Sequence, residues 1–346
     1  METIIDLRSD TVTSPSRAML EAMSSAATGD DVYGEDPTVN ALEEYAAELT
    51  KKEKALFVTS GTQGNLTSIL SHCGRGDEYI AGSDAHTYKY EAGGAAVLGS
   101  VQPQPVPFNS RGEIPLELAR EAIKPLDHHF AKTKLLCLEN TKAGKVLSLE
   151  YLSQAREFTK KTGLSLHLDG ARAFNAAVKL DVPISEITMH VDSCSLCLSK
   201  GLGAPMGSVL VGDASLIESA RKWRKMLGGG MRQAGIMTAA GLFALKNHVT
   251  DLRKDHEKAV LCWEGLRNLK TIHLQDEPQT NMVILQASAK ILAELQRFLK
   301  ENGVTIAQAT KTHRDGATSC YVRDPVGTLV QFIHHPPISP ALSSLS

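Results

Sequence analysis

The feature that most narrows the fold of this chain is a repeated exchange between short, wholly apolar runs and longer amphipathic stretches. ALFVTS, EYIAG, KLLCLEN, LSLHLDG, SCSLCLS and GSVLVG are the runs, and LEYLSQAREFTKKTG is typical of what separates them. A strand that is apolar on both faces must be covered on both faces, and only helices packed above and below a largely parallel sheet do that. The pattern therefore predicts an α/β domain. Pro37 to Thr50 has helical periodicity in Val39, Leu42, Tyr45, Ala46 and Leu49, and the turn Gly61 to Gly64 opens a further helix through Leu70. In such sheets ligands sit beyond the carboxyl ends of the strands.

The pattern changes late in the chain. One long helix is expected from about Met237 to Leu269; beyond it NMVILQ, ILAELQRFLKENG and CYVRDPVGTLVQFI suggest a strand, a helix and more strands. A boundary near residue 246 divides the chain into an N-terminal arm with a large domain (1–245) and a smaller α+β domain (246–346). At 346 residues the chain is long enough for two unequal domains. The ending PPISPALSSLS has the composition of a mobile tail.

A formal net charge of -2 gives no electrostatic case for nucleic acid or an anionic membrane as partner. The start METIIDLRSD lacks the basic and apolar regions of a leader, and no segment approaches the roughly 18 uninterrupted apolar residues of a membrane span, so a cytoplasmic location is expected. Cys194 and Cys197 form a C-x-x-C, but inside a strand residues three apart face opposite ways and cannot share a metal. Buried thiols are expected there, and no metal site.

Three constellations carry chemistry. The first, Ser60-Gly61-Thr62-Gln63-Gly64-Asn65, runs from a strand into a helix. Glycine admits a close anion, and free N–H groups with the helix dipole stabilise it, so this is a phosphate seat or else a plain turn capped by Thr62. The second, His167-Leu168-Asp169-Gly170-Ala171-Arg172, closes an apolar strand. Asp169 suits the protonated nitrogen of a pyridinium ring, and Arg172 can fork onto a carboxylate; a capping Asp with a surface Arg is the plainer account. The third, Ser199-Lys200-Gly201-Leu202-Gly203, places a lysine between a buried strand and a glycine-rich loop. Partial desolvation there favours a neutral amine able to attack an aldehyde.

Phosphate seat, ring-nitrogen acid and Schiff-base lysine, in that order at successive strand ends, are the set that pyridoxal 5'-phosphate (PLP) requires. The chain has no strand-linked G-x-G-x-x-G, no G-x-x-x-x-G-K-[ST], no H-E-x-x-H and no G-x-S-x-G, which closes the dinucleotide, P-loop, zincin and α/β-hydrolase routes.

From residue 4 to about residue 283 the chain resembles the low-specificity L-threonine aldolases, PLP enzymes of the aspartate-aminotransferase-like fold (fold type I). The resemblance rests on DLRSDTVTSPSRAM, GDDVYGEDPTVNALE, SGTQGN, HTYKYEAGGAAVLG, LENTKAGKVL, LHLDGARAFNA, CLSKGLGAPMGSVLVG and RKWRKMLGGGMRQAG. It implies retro-aldol cleavage of a β-hydroxy-α-amino acid to glycine and an aldehyde. It also implies roles: Lys200 for the cofactor-bearing lysine, Asp169 for the ring nitrogen, and Gly61 and Thr62 for the phosphate. His86 would stack on the ring and take part in proton transfer, and Ser9 and Arg172 would grip the substrate carboxylate. Arg232 would reach a neighbouring subunit's cofactor phosphate with Tyr33 near the shared site, which implies a homo-oligomer, usually a tetramer built as a dimer of dimers.

The chain departs from the family pattern in two places. Where members commonly read ENTH it has Glu139-Asn140-Thr141-Lys142, which bears on threonine against allo-threonine preference and on the identity of the base. The family's R-x-V-T-H segment is absent; Arg314 lies nearest by offset. YVRDPVGTLVQFI is similar to the closing strand of glyoxalase-like vicinal-oxygen-chelate domains, but the about 60 residues there are at most half of such a metal site. Another fold-type-I PLP lyase or racemase, and a catalytically weak PLP-binding protein with an altered C-terminal domain, stay open as alternatives.

Overall fold

The computed structural model describes residues 9–268, 273–286, 297, 306–312, 318–323 and 329–334. The chain divides into two compact units. One comprises Thr13–Lys258 with Gln279–Met282, and the other Met1–Val12, Ala259–Pro278 and Val283–Ser346.

The first unit is built on seven strands: β1 (Lys54–Val58), β2 (Asp77–Gly82), β3 (Gln102–Val106), β4 (Lys132–Glu139), β5 (Ser165–Asp169), β6 (Ser193–Cys197) and β7 (Ser208–Gly212). They lie in the order β1-β7-β6-β5-β4-β2-β3. Pairing is parallel from β6 across to β3, while β7 runs antiparallel to both β6 and β1. The sheet is thus mostly parallel, and β6 and β7 are buried at every residue, which explains their unbroken apolar runs.

Among the described residues twelve α-helices follow in chain order: α1 (Arg17–Ser24), α2 (Pro37–Thr50), α3 (Gly61–His72), α4 (His86–Lys89), α5 (Gly94–Gly99), α6 (Leu116–Ala122), α7 (Leu149–Thr162), α8 (Ala173–Leu180), α9 (Ser185–Thr188), α10 (Ala214–Met226), α11 (Gly235–Asn247) and α12 (Leu252–Leu266). Their starts are written in the sequence. Asp36 caps α2 by accepting from the amides of Thr38 and Val39, with Pro37 at the first helical position where no N–H is needed. Ser148 and Asp213 cap α7 and α10 in the same way. The core holds Leu42, Phe57, Ile80, Leu136, Leu166, Leu168 and Val209, all fully buried.

Three features differ from expectation. The continuous helix expected from Met237 to Leu269 is instead α11 and α12, parted by a turn at residues 248–251. Asn247 turns its amide back to the Phe243 carbonyl at 2.8 Å and His248 Nδ1 lies 2.8 Å from the Leu202 carbonyl, in a run of poor helix formers. The cap of α3 is Ser60 rather than Thr62: Ser60 Oγ accepts from the Gln63 amide at 3.2 Å. The third is β3, whose sequence QPQPV hides an edge strand in which the prolines remove donors that a further strand would pair with.

In the second unit β8 (His273–Leu274) pairs antiparallel with β9 (Leu285–Gln286). A three-stranded antiparallel sheet is formed by β10 (Ile306–Thr312), β11 (Thr318–Arg323) and β12 (Leu329–His334). The strands expected in CYVRDPVGTLVQFI are β11 and β12. The helix expected in ILAELQRFLKENG, apart from Arg297, and the Pro/Ser-rich tail lie outside the described residues, as does Arg314. Among the described residues no helix is long and apolar enough to cross a membrane.

Candidate active site

The carboxyl edge of the sheet gathers the chemistry. Asp169 is the last residue of β5, Glu139 the last of β4, Lys200 follows β6, and Ser208 begins the antiparallel β7. α3 opens directly after β1, and His86 begins α4 just past β2.

At the start of α3 the Ser60 side chain takes the Gln63 amide and the Ser60 carbonyl takes that of Gly64 at 3.0 Å. The amides of Gly61 and Thr62 lie in the first turn, where helix geometry points N–H groups out of the terminus. Beside them Ser208 Oγ is buried without a hydrogen-bond partner. A Cβ placed on Gly61 would lie 3.7 Å from that hydroxyl. An orphaned donor, free helix amides and a positive dipole end together form an anion seat.

Asp169 is 3% exposed. Its Oδ1 accepts from the Ala171 amide at 3.0 Å and its Oδ2 from Asn65 Nδ2 at 2.8 Å. The same Asn65 nitrogen lies 2.8 Å from Glu91 Oε1, which in turn is 2.8 Å from His86 Nδ1. The His86 backbone is held separately, its amide donating to Glu139 Oε2 at 2.8 Å. The Glu91 hydrogen bond raises the pKa of His86 above the ordinary histidine value, against burial and the opposing charge of Lys200. Burial raises Glu91, and the hydrogen bond from His86 pulls it back. Glu139 is also raised, by burial and by the like charge of Asp169, with Lys142 acting against both.

Lys200 is half-buried, and its carbonyl accepts from Thr13 Oγ1 and the Gly203 amide, both at 2.8 Å. That turn anchors the lysine's backbone. Arg172 precedes α8, its amide donating to the Asn140 carbonyl at 3.2 Å, so it stands beside the ends of β4 and β5. Lys142 is tied down: Nζ donates to the Asp84 carbonyl at 2.5 Å, lies 3.6 Å from Glu139 Oε1 and sits over the Phe108 ring at 4.9 Å.

Arg232 and Tyr33 are brought together elsewhere. The Asp31 amide donates to the Arg232 carbonyl, Arg232 pairs with Asp30 at 2.8 Å, and Tyr33 is 75% exposed. Ser9 belongs to the second unit, where its hydroxyl accepts from Thr11. Sequence reasoning did not single out Asn65, Glu91, Glu139 or Ser208. All four lie within the quoted blocks SGTQGN, HTYKYEAGGAAVLG, LENTKAGKVL and CLSKGLGAPMGSVLVG, and the signal that singles them out is burial of a polar group, which a sequence does not display.

The residues fit PLP: an anion seat with an orphaned donor, a buried carboxylate and a lysine lie on one sheet edge. The family model described as beta-eliminating lyase matches residues 6–290. The chain belongs to the beta-eliminating lyase family. Among relatives, the low specificity L-threonine aldolase of Escherichia coli (strain K12) is 55% identical over 303 residues, 88% of this chain and 90% of that protein. Low-specificity L-threonine aldolase 1 of Arabidopsis thaliana is 46% identical over 89% of each chain. The low specificity L-threonine aldolase of Saccharomyces cerevisiae is 38% identical over 82% of this chain and 74% of its own.

Solved structures share the fold at lower identity. Leishmania major threonine aldolase superposes with a TM-score of 0.74 at 22% identity, covering 92% of both chains. Sphingomonas wittichii serine palmitoyltransferase gives 0.67 at 20% identity, over 98% of this chain and 84% of that one. The chain thus shares its fold with these two enzymes.

Proposed function

We propose that the protein is a PLP-dependent carbon-carbon lyase that cleaves L-threonine, L-allo-threonine and related β-hydroxy-α-amino acids to glycine and an aldehyde. The observation that carries this reading is the convergence at the sheet edge: Asp169 at the end of β5, Lys200 after β6, and the open start of α3 beside the unpartnered Ser208. The names of the close relatives support the substrate class.

Bound PLP supplies an electron-withdrawing ring that takes up the electron pair released when the Cα–Cβ bond breaks. The chain's own residues do the rest. Lys200 offers the amine that anchors the cofactor, the Gly61 and Thr62 amides with Ser208 Oγ hold its phosphate, and Asp169 holds a positive ring nitrogen. Arg172 grips the substrate carboxylate and so orients the bond to be broken. His86 spends Nδ1 on Glu91. Its Nε2 therefore carries the lone pair in the neutral form, and accepts the β-hydroxyl proton directly or through a water.

The protein is further proposed to act in the cytoplasm as a homo-oligomer, a dimer of dimers with Tyr33 and Arg232 serving a neighbouring subunit's site. Support comes from the free thiols of Cys73, Cys137, Cys194, Cys197 and Cys262, and from the exposure of Tyr33 and Met226.

Aldehyde release assayed with L-threonine, L-allo-threonine and D-threonine tests the activity. Acetaldehyde and glycine are expected from the first two. Release from neither L-isomer by protein that has bound PLP overturns the reading.

A further inference from the structure

Glu91 and Asp169, two of the carboxylates at this site, need different tasks. His86, Glu91 and Asp169 each offer an atom within 4.8 Å of the others. Brought so close, two ionised carboxylates repel. The group between them is Asn65 Nδ2, 2.8 Å from each. An amide nitrogen has two hydrogens, so it donates one to each carboxylate and satisfies both without adding charge.

That arrangement requires the amide to face one way. Turned over, Asn65 would set its oxygen against two carboxylates. The amide oxygen faces His167, fully buried in β5, whose Nε2 lies 3.2 Å from Asn65 Oδ1. On its other side His167 Nδ1 lies 2.9 Å from Ser68 Oγ and 2.8 Å from Ser193 Oγ, and Ser193 Oγ lies 2.8 Å from His72 Nε2. Burial pushes His167 down to about 3, so its ring is neutral and carries one N–H. Asn65 Oδ1 can only accept, so with this amide orientation the ring proton sits on Nε2 and the single lone pair of Nδ1 accepts from one of the two serines. This line of polar groups carries orientation and not protons, because a carboxamide does not pass them on.

We propose that Asn65 is a positioning residue that keeps Glu91 for His86 and Asp169 for the cofactor ring nitrogen, and that His167 sets the direction of the Asn65 amide. The inference rests on the PLP reading of the site.

The test uses two ligands on PLP-free protein: PLP itself, and its carbocyclic analogue with CH in place of the ring nitrogen, each titrated by absorbance. Asn65→Leu is expected to weaken PLP about 10- to 100-fold, the range of a hydrogen bond to a charged group, while analogue affinity stays unchanged because Asp169 has nothing to hold there. Retained analogue binding also shows that the pocket is folded. His167→Leu is expected to give the same selective loss, and His167→Gln, which keeps an N–H donor near Nε2, to recover most of it. Equal losses for both ligands, or equal behaviour of His167→Leu and His167→Gln, overturn the proposal. Absence of PLP binding by the unaltered protein overturns the reading beneath it instead.

Discussion

His86 Nδ1 lies 2.8 Å from Oε1 of Glu91, a carboxylate 7% exposed that also takes an amide hydrogen from Asn65. Glu91 is thus the main reason that His86 holds its proton above the ordinary histidine range. The neutral ring is the base, so activity falls as pH drops through that raised value. Glu91→Gln keeps an acceptor and removes the charge, and is expected to move the acid limb of kcat/KM to lower pH. The stability linked to His86 follows the same sign: it is fully present below the unfolded histidine value and is lost as pH rises through the raised one. Glu91→Gln therefore also flattens the pH dependence of Tm in that window. An unmoved limb would show that His86 is not the group titrating in the rate.

Lys200 follows β6 on a backbone turn held by Thr13 and Gly203. If its amine anchors the cofactor, Lys200→Ala lowers kcat by at least about 10^3-fold and abolishes the borohydride-trapped adduct that mass spectrometry finds at this residue in the unaltered protein. Aldehyde release within about tenfold of the unaltered protein would assign the anchor elsewhere.

The α/β architecture was legible because both-face burial leaves unbroken apolar runs, as in β4 and β6. β3 was not, since Pro103 and Pro105 read as turn residues until an edge position makes them useful. At the site, Gly61, Asp169 and Lys200 stood out because each ends or follows an apolar run. Asn65 and Glu91 did not: Asn65 sits among buried residues of α3 and Glu91 in a loop, and only the fold brings them within 2.8 Å. Lys142 was visible as a departure from the family pattern, but its partners Asp84 and Phe108 were not, being 58 and 34 positions away along the chain.

Gly64 lies in α3 where the helix presses on β6. Helix propensity alone would make alanine better there by about 1 kcal/mol. A Cβ at this position, however, collides with Ser195 Oγ and lies 3.3 Å from Ser195 Cβ and 3.4 Å from Val58 Cγ2. Rotating the Ser195 hydroxyl away would still leave Ser195 Cβ at 3.3 Å and the Val58 methyl at 3.4 Å, both on buried strands. Overpacking wins, and Gly64→Ala is expected to destabilise by about 1–3 kcal/mol, read as a lower denaturation midpoint at unchanged slope. A raised midpoint would show that the interface yields.

Asp31 and Arg224 form a buried ion pair at 2.8 Å, with residue exposures of 4% and 3%. Arg224 also donates to the Phe57 carbonyl at 2.8 Å, which joins α10 to β1. Burial pulls the arginine's pKa down and the charge of Asp31 pushes it back up. Removing one partner strands the other charge in a desolvated place, so Asp31→Ala is expected to cost about 3–5 kcal/mol. Removing both, as Asp31→Ala with Arg224→Met, leaves no stranded charge, and the methionine retains much of the packing. The double variant is therefore expected to be more stable than Asp31→Ala alone, giving a coupling visible in a double-mutant cycle by urea denaturation. Additive losses would mean that water reaches Arg224 once Asp31 is gone, and that the pair contributes through packing rather than charge.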